Sequence, residues 1–390
     1  MTDVILTAAD EYLNHQMVAS FEQVGTTDRN WTEKGYIVAY DVSGEIMVTA
    51  GIGKYSNRDV MDGFAGVAVP GKQYNVRATR ELRPELDRTV VGPISWEVVH
   101  APSHNRIMLA ENELGVSYDV TYESDFAPIV GAPGERRDRG ITGNHTIRYF
   151  QPGRASGTVT VEGRTYRLDP DRSYAYKDRS WGIRTMSGIP NPNSFWFNDP
   201  SAAPETGLRP APGHGEGVLH GYLNFSFGSW CLSSTFTQGP DGRPMKSSTG
   251  STEGFIAFAG TNRPRLRIAN LELDFEFWPG TRRAKSLHAH AELEDGSTRD
   301  ITCTWKDLVY YFRGGGYFGF RGWWQGGYRG ALDVGGEVMD LRNKANLDEL
   351  YGCEEIAVDC VCGEETGHGV MEPWAIGSLP RYGITEDTLG

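Results

Sequence analysis

Aromatic and charged side chains alternate in the middle of the chain, from Tyr174 to Arg184, where the sequence reads YAYKDRSWGIR. Alternation of this kind is typical of a β-strand, in which residues two apart share one face. Tyr174, Tyr176 and Asp178 are therefore predicted to point the same way. A carboxyl group on an aromatic face is either a surface acid or a buried one, and burial raises its pKa. If Asp178 is buried, it is a candidate proton donor.

The same run of residues also fits a structural corner without catalytic activity. In that arrangement Asp178 pairs with Arg179, with Arg184 or with a backbone turn. A guanidinium group beside a carboxyl lowers the carboxyl's pKa, and the acid then holds no proton at neutral pH. The residue types alone leave the catalytic and the structural interpretation open.

The elements that must position this run are strands. Glycine is frequent, with 49 residues, and 10 Trp, 18 Tyr and 16 Phe are spread along the chain. Short strands at steady spacing predict an all-β barrel or sandwich, with a tight hairpin turn at Glu162-Gly163-Arg164. We find no helical crossover of the kind that a doubly wound α/β fold needs. Because 390 residues exceed the usual size of one core, we divide the chain into two strand-rich domains, residues 1–165 and 166–390.

Three further segments bear on function. Residues 313–330 interleave glycines with aromatic residues, which either wall a pocket or pack in the core. Residues 364–372 are polar and glycine-rich; His368 and Glu372 could meet across a turn there, but we favour a solvated loop. Residues 190–217 form a long stretch rich in Pro, Gly and Ala, which is typical of a lid or a binding loop.

Composition and charge exclude some classes of partner. A formal net charge of −13 argues against nucleic acid, whose binding requires a basic surface. No stretch approaches the roughly 18 apolar residues of a membrane span. The chain begins at Met1 without the basic and apolar regions of a signal peptide. We therefore expect no nucleic-acid partner, no membrane span and a cytoplasmic location, while a homodimer stays open.

Neither a metal nor an organic cofactor is predicted. The cysteines around Cys360 lack the C-x2-C spacing of a zinc site, and we interpret Cys360 as a buried strand cysteine. His288 and His290 lie two apart without further ligands nearby, which favours paired surface histidines. The chain contains no phosphate loop, no dinucleotide fingerprint and no Gly-x-Ser-x-Gly motif. An enzyme with this sequence would therefore work without a cofactor.

Residues 176–184, which read YKDRSWGIR, resemble the Asp-Trp-Gly signature of the hydroxyneurosporene synthase (carotenoid 1,2-hydratase) and AttH-like superfamily. The preceding residues 153–166 and the closing residues 367–372 are similar to that superfamily as well. The resemblance implies two lipocalin-like antiparallel β-barrel or half-barrel domains packed together, with few short helices. The strand pattern predicts the same fold class independently.

The resemblance also implies roles for individual residues. In the carotenoid hydratase branch a tyrosine and an aspartate two residues apart serve the chemistry, and the matching positions are Tyr176 and Asp178. It thus implies Asp178 as the proton donor and Tyr176 as its partner. Arg179 stands where relatives often have histidine, which leaves the second acid–base group open.

We predict a cofactor-free enzyme that acts on a small hydrophobic, alkene-bearing substrate, such as an isoprenoid or a polyketide. A neutral Asp178 would protonate a double bond, and hydration, isomerisation or cyclisation would follow. Aromatic faces would stabilise the developing positive charge by cation–π attraction of roughly 2 kcal/mol each. We assign substrate contacts to five residues, Tyr174, Trp181, Arg184, Trp196 and His220.

A non-catalytic carrier of a lipophilic ligand is the alternative function. Lipocalin-like barrels commonly hold one small apolar molecule in the lumen. In a carrier, Asp178 would be a structural residue. A protein-interaction module whose acidic surface binds a basic partner is a third interpretation, and it predicts no internal cavity large enough for a ligand.

Overall fold

The computed structural model describes residues 6–131, 133–138, 141–184, 217–245, 253–260, 263–351 and 353–390, with the backbone alone at residues 136, 138, 141 and 143. Nearly all of its regular structure is β-strand, arranged in two large antiparallel, barrel-like sheets. The predicted all-β fold class is therefore confirmed. The binding loop predicted for residues 190–217 lies outside the described residues, apart from Gly217.

The first sheet has 14 strands, of which all but one come from the N-terminal half of the chain. These are β1 (Trp31–Asp41), β2 (Met47–Tyr55), β3 (Val60–Val69), β4 (Lys72–Glu81), β5 (Val90–Val91), β6 (Ile94–His100), β7 (His104–Leu109), β8 (Val116–Glu123), β9 (Ile129–Val130), β10 (Gly134–Asp138), β11 (Ile141–Val161), β12 (Arg164–Leu168) and β13 (Ser173–Arg184). Strand β13 lies between β1 and β11 and is hydrogen-bonded on both sides. Its backbone is therefore held from both edges.

The second sheet has nine strands. These are β14 (Val218–Ser226), β15 (Trp230–Gln238), β16 (Glu253–Phe258), β17 (Leu266–Phe277), β18 (Ala284–Leu293), β19 (Thr298–Tyr311), β21 (Glu354–Cys362), β22 (Glu365–Met371) and β23 (Trp374–Ile376). The sheet closes into a ring because β14 pairs with β15 on one side and with β22 on the other. Between β19 and β21, strand β20 (Leu332–Asp340) leaves this sheet and pairs with β4 of the first one.

Helical structure in the described residues is limited to one short α-helix and single 3₁₀ turns. Helix α1 (Lys344–Leu350) begins at Asn343, whose side chain accepts the N–H of Ala345 at 2.9 Å. The 3₁₀ turns are Ala8–Glu11, Ser56–Arg58, Pro170–Arg172, Phe312–Gly315 and Pro380–Tyr382. The structure thus confirms the expectation of few short helices.

The hairpin predicted at Glu162-Gly163-Arg164 is confirmed. Strand β11 ends at Val161 and β12 begins at Arg164, which leaves a two-residue turn. Glu162 and Gly163 have φ angles of 49° and 84°, the left-handed conformations that a type I′ turn requires. This turn fixes the register of β12 on β11.

Each sheet wraps an apolar core of its own. Ile107 and Val159 are fully buried in the first core, and Leu232 and Ile301 are fully buried in the second. A third cluster is mostly aromatic and joins the two sheets; its members include Tyr36, Tyr174, Tyr176, Tyr222, Phe312 and Trp374. The two sheets therefore share an interface whose chemistry differs from both barrel interiors.

The division of the chain into residues 1–165 and 166–390 stays a prediction. The hydrogen bonds place β13 in the first sheet, so the chain changes sheets between β13 and β14. Strand β20 returns to the first sheet from the C-terminal half of the chain. The signature run on β13 consequently lies on a strand of the first sheet that faces the second.

Candidate active site

Strand β13 presents to the second sheet the face that the sequence pattern predicts. The Tyr174 hydroxyl donates to the carbonyl oxygen of Asn224 at 2.7 Å. Two residues further along β13, the Tyr176 hydroxyl donates to Oε1 of Glu372 at 3.1 Å. Asp178 follows on the same face. Both tyrosines reach the second sheet, which confirms that this face of β13 points into the interface.

Asp178 lies in this interface, and its side chain keeps 17% exposure. Its Oδ2 is 3.4 Å from Nη1 of Arg148, whereas its Oδ1 has no hydrogen-bond partner among the described residues. Burial raises the pKa of the Asp178 carboxyl, and the positive charges of Arg148 and Arg184 oppose this effect without cancelling it. Asp178 therefore has the environment of a buried acid.

Neither Arg179 nor Arg184, which the structural interpretation pairs with Asp178, forms an ion pair with it among the described residues, although the charge of Arg184 acts on its pKa. Arg179 points away from the interface and donates to Glu33 at 2.7 Å. The ion-pair partner of Asp178 is Arg148 on β11, through a single long contact. The guanidinium of Arg148 also lies 4.7 Å from the ring centroid of Tyr222. Its charge is thus shared between a carboxyl and an aromatic face.

Glu372 lies beside Tyr176, and the solvated loop favoured for residues 364–372 is wrong. Most of that segment forms β22, and Glu372 is only 4% exposed. Its backbone N–H donates to the carbonyl of Tyr222 at 2.9 Å. A Cβ atom at Gly221 would lie 1.7 Å from the Glu372 carbonyl oxygen, so glycine is needed for this approach. Burial and the negative charge of Asp178 raise the pKa of Glu372 to about 8.

A second tyrosine–glutamate pair lies next to the first. The Tyr36 hydroxyl donates to Oε2 of Glu355, and Oε1 of Glu355 has no hydrogen-bond partner among the described residues. Burial raises the pKa of Glu355, and the negative charge of Glu372 raises it further. The rings of Tyr36 and Tyr176 are 6.1 Å apart. Asp178, Glu355 and Glu372 thus form a carboxyl cluster in which the pKa of every member is raised, to about 8 at Glu372.

Two cavities adjoin this cluster. The inner cavity has a volume of about 30 Å³, and its polar lining includes Lys34, Asp62, Asp178, Ser180, Arg184 and Gln325. The outer cavity has a volume of about 400 Å³, and its lining includes Arg148, Phe150, Tyr222, Phe255, Glu253 and Arg267. Arg184 lines both cavities. Asp178 therefore lines the inner cavity, and arginine side chains lie between the inner and the outer cavity.

The residues assigned to substrate contacts lie in different parts of the structure. Arg184 lines both cavities and His220 lines neither, and the substrate roles of both stay predictions. His220 is half-buried, with Nδ1 2.8 Å from Oγ1 of Thr237 and its ring 5.5 Å from that of Tyr222. Burial and the positive charge of Arg148 lower the pKa of His220 to about 4, so the imidazole is neutral. Trp196 lies outside the described residues.

Tyr174 and Trp181 are not part of either cavity lining. The Tyr174 hydroxyl is used by the Asn224 carbonyl, and its ring lies 5.5 Å from that of Tyr40 in the interface core. Trp181 is an odd number of residues from Asp178 and points to the opposite face, where it is 37% exposed. We therefore correct the assignment of Trp181, because strand parity keeps its ring away from the acid.

The glycine-rich segment at residues 313–330 serves both predicted purposes. Tyr317, Trp323 and Trp324 line the inner cavity. Phe320 is 2% exposed and packs in the core of the second barrel. The alternatives of pocket wall and core are thus divided between different aromatic residues of one segment.

The cysteine and histidine predictions are tested directly. Cys360 is 1% exposed on β21, which confirms a buried strand cysteine. His288 is exposed on β18, and Nδ1 of His290 is 2.7 Å from Asp300 at the surface, as expected for paired surface histidines. Within the described ranges, no group of His, Cys, Asp or Glu side chains has the arrangement of a metal site.

Sequence reasoning missed Lys34, Arg148 and Glu355, and it misinterpreted Glu372. The segment from residue 367 to 372 alternates glycine with larger residues, a signal that could have indicated a strand ending at a buried acid. Glu355 directly precedes a run of apolar residues, so strand alternation could also have predicted which face of the sheet its side chain takes. No local pattern indicates Arg148, because it reaches Asp178 from a neighbouring strand.

The comparisons with known proteins concern the whole chain. Within the part that the structure describes, no helix is long and apolar enough to cross a membrane. The fold and site define an all-β protein with a buried acid cluster between two barrel-like sheets. Residues 6–385 match the model of the family described as Family of unknown function (DUF8625), and the chain belongs to that family.

Two further comparisons complete this result. No curated relative matches the chain. Among solved structures, the crystal structure of kievitone hydratase from Nectria haematococca aligns with a TM-score of 0.38 and 12% identity over 96% of each chain. The assignment to the hydroxyneurosporene synthase and AttH-like superfamily stays a prediction.

Proposed function

We propose that this protein is an acid–base enzyme that protonates a carbon–carbon double bond of a hydrophobic substrate. Asp178 is the proton donor. The observation that carries this proposal is a carboxyl group in the sheet interface with a raised pKa, a single long ion-pair contact and one unpartnered oxygen, at the lining of the inner cavity. A general acid needs a proton at working pH and a free direction along which to donate it; the raised pKa favours the first, and the unpartnered oxygen supplies the second.

The outer cavity is the proposed site for the body of the substrate, and the reacting double bond extends past Arg184 to Asp178, which lines the inner cavity. The outer cavity's volume of about 400 Å³ lies within the usual range of small-molecule sites, roughly 300–1,000 Å³. Phe150, Tyr222 and Phe255 supply apolar surface, and serine and threonine side chains of β15 supply hydrogen-bonding groups. This mixture suits a substrate with an apolar body and a few oxygen atoms, as isoprenoid alcohols and polyketides have.

The arginines limit how much positive charge the substrate can develop. A free carbocation next to Arg148 and Arg184 would be repelled by two guanidinium groups. Ring faces such as that of Tyr222 offset part of this repulsion by cation–π attraction of roughly 2 kcal/mol or less. Protonation is therefore favoured when a nucleophile attacks at the same time, or when an oxygen conjugated to the double bond is held by an arginine.

Glu372 and Tyr176 form the proposed proton supply. After Asp178 has donated, its carboxylate needs a new proton before the next turnover. Glu372 retains a proton up to about pH 8, because burial and the charge of Asp178 raise its pKa. The Tyr176 hydroxyl is hydrogen-bonded to Glu372 and points into the same interface as Asp178. No hydrogen bond joins Asp178 to this pair among the described residues, so in this proposal a water molecule carries the proton from the pair to Asp178.

Deuterium uptake tests the proposal. Farnesol, linalool and chalcone, three unsaturated probes, are incubated with the protein in D₂O, and carbon-bound deuterium is measured by mass spectrometry. We expect uptake with at least one probe and a loss of about 10²–10⁴-fold in D178N, the usual contribution of general acid catalysis. Infrared spectra at pH 7 should also lose a protonated-carboxyl band in D178N.

D119N is the matched control. Asp119 forms an exposed ion pair with Arg106 at 2.5 Å in the same sheet, so the same substitution there should leave deuterium uptake unchanged. Full uptake by folded D178N would reject Asp178 as the donor. Tight probe binding without uptake by the wild-type protein would favour the carrier function instead.

A further inference from the structure

The inner cavity has a polar lining that a proton donor alone does not require. Its volume of about 30 Å³ has room for about two water molecules, since a water needs roughly 10–15 Å³ measured in this way. A buried water also needs two to four polar partners. The lining supplies them in Lys34, Asp62, Asp178, Ser180 and Gln325. The cavity is therefore suited to hold water directly beside the proposed acid.

Lys34 contributes an amine to the lining of the inner cavity, and a neutral amine can act as a base. Lys34 lies on β1 directly opposite Ser180, which is two residues from Asp178 on β13. Diagonal neighbours of this kind have Cβ atoms about 7–8 Å apart. Lys34 is 8% exposed, and its Nζ donates to Oε1 of Gln325. The amine and the acid thus face one small space, with room for water between them.

The charges around Lys34 favour its neutral form. Burial and the positive charge of Arg184 lower the pKa of Lys34 well below its usual range, with Arg58 and Arg148 adding to the effect. Asp62 opposes it. The ionisable groups that face Lys34 are Tyr55 of β2, Arg58 of the following turn, Asp62 of β3, Arg148 of β11, Asp178 and Arg184 of β13, and Tyr317.

We propose that Lys34 is the general base that activates water held in the inner cavity, so that the enzyme adds water across the double bond. This inference rests on the proposed function and deepens it, because it selects hydration among hydration, isomerisation and cyclisation. Hydration also agrees with the limit that Arg148 and Arg184 place on positive charge in the substrate. Water attacking as Asp178 donates leaves little positive charge on the substrate.

The O–H bond of Asp178 breaks and the π bond of the alkene opens, and the π electrons form a C–H bond at one alkene carbon. The water oxygen forms a C–O bond at the other alkene carbon, and one O–H bond of that water breaks as its proton passes to Nζ of Lys34. Asp178 is then a carboxylate and Lys34 an ammonium ion, which Asp62 stabilises. Loss of the added proton from Lys34 and return of one proton to Asp178, directly from Lys34 or by way of Glu372 and Tyr176, restores both groups.

The test measures the ratio of hydrated to isomerised product from the probe that takes up deuterium. K34M removes the amine while keeping most of the side-chain volume, and K34R keeps a positive charge that cannot act as a base. We expect both variants to lower the ratio at least about 100-fold. K72M changes an exposed lysine paired with Glu162 and should leave the ratio unchanged.

A wild-type ratio in folded K34M or K34R would overturn the assignment of Lys34. A crystal structure of the wild-type protein tests the same idea without any variant: we expect ordered water within hydrogen-bond distance of Lys34 Nζ, and an empty cavity would overturn the proposal. Failure of the underlying function looks different. In that case the wild-type protein shows no deuterium uptake with any probe, whatever the cavity contains.

Discussion

The barrel interiors and the interface between the sheets are built from different side chains. Both interiors are filled by aliphatic and aromatic residues, such as Ile107 in the first barrel and Ile301 in the second. The interface buries Lys34, Asp178 and Glu372 among tyrosines. The interiors therefore hold each sheet together, whereas the interface keeps ionisable groups out of water and changes their pKa values.

This difference distinguishes the protein from the ligand carriers that share its fold class. A carrier of the lipocalin type keeps its ligand in the lumen of a barrel. Here the outer cavity is lined by residues of both sheets, and the inner cavity by strands of the first sheet together with residues between 315 and 325. Substitutions in the interiors and in the interface should consequently affect different properties.

The largest effect on stability is expected in a barrel interior. Ile301 is fully buried on β19, and I301A should lower the free energy of unfolding by about 2–5 kcal/mol through lost burial and a residual cavity. Urea unfolding measures this change. Deuterium uptake per folded molecule should stay at the wild-type level. A selective loss of uptake would show that the interior takes part in the chemistry.

The next largest effect concerns Glu372 and pH. Its folded pKa of about 8 lies above the unfolded value of 4.5, so between these pH values the folded state binds more protons than the unfolded state. Stability from this group is therefore lost as pH rises from about 4.5 to 8. E372Q removes this loss, which is at most about 5 kcal/mol. Unfolding curves across this range for both proteins check it, and equal slopes would contradict it.

A smaller effect is expected for Y176F. The substitution removes the hydrogen bond to Glu372, with a cost of about 1 kcal/mol in the free energy of unfolding. Because that hydrogen bond lowers the pKa of Glu372, its loss should move the pKa upward. Deuterium uptake should fall about 10-fold as proton supply slows. Unchanged uptake would remove Tyr176 from the proposed proton supply.

The smallest effect is expected at the surface. Asp119 and Arg106 form an ion pair as Asp178 and Arg148 do, but in solvent, and the hydrogen bond from Arg106 lowers the pKa of Asp119. D119N should change the free energy of unfolding by less than about 1 kcal/mol. Thermal melts check this. A large change would mean that the ion pair itself, more than its burial, determines its contribution to the free energy of unfolding.

Much of the fold was predictable because it depends on local pattern. Strand alternation and turn residues give the all-β class, and Glu162-Gly163 gives a hairpin whose backbone angles follow from its residue types. Parity on β13 already places Tyr176 and Asp178 on one face and Trp181 on the other. Assigning Trp181 to the substrate conflicted with that parity.

The sequence by itself determined which side chains share a strand face and which acid stands among tyrosines. Only the tertiary structure decided that Arg148, Lys34 and Glu372 lie near Asp178, since they come from other parts of the chain, and Glu372 is almost 200 residues away. The physical reason is that periodicity is local, whereas a pKa depends on every charge and every excluded water around a group. The surroundings that raise the pKa of Asp178 are therefore a property of the tertiary structure.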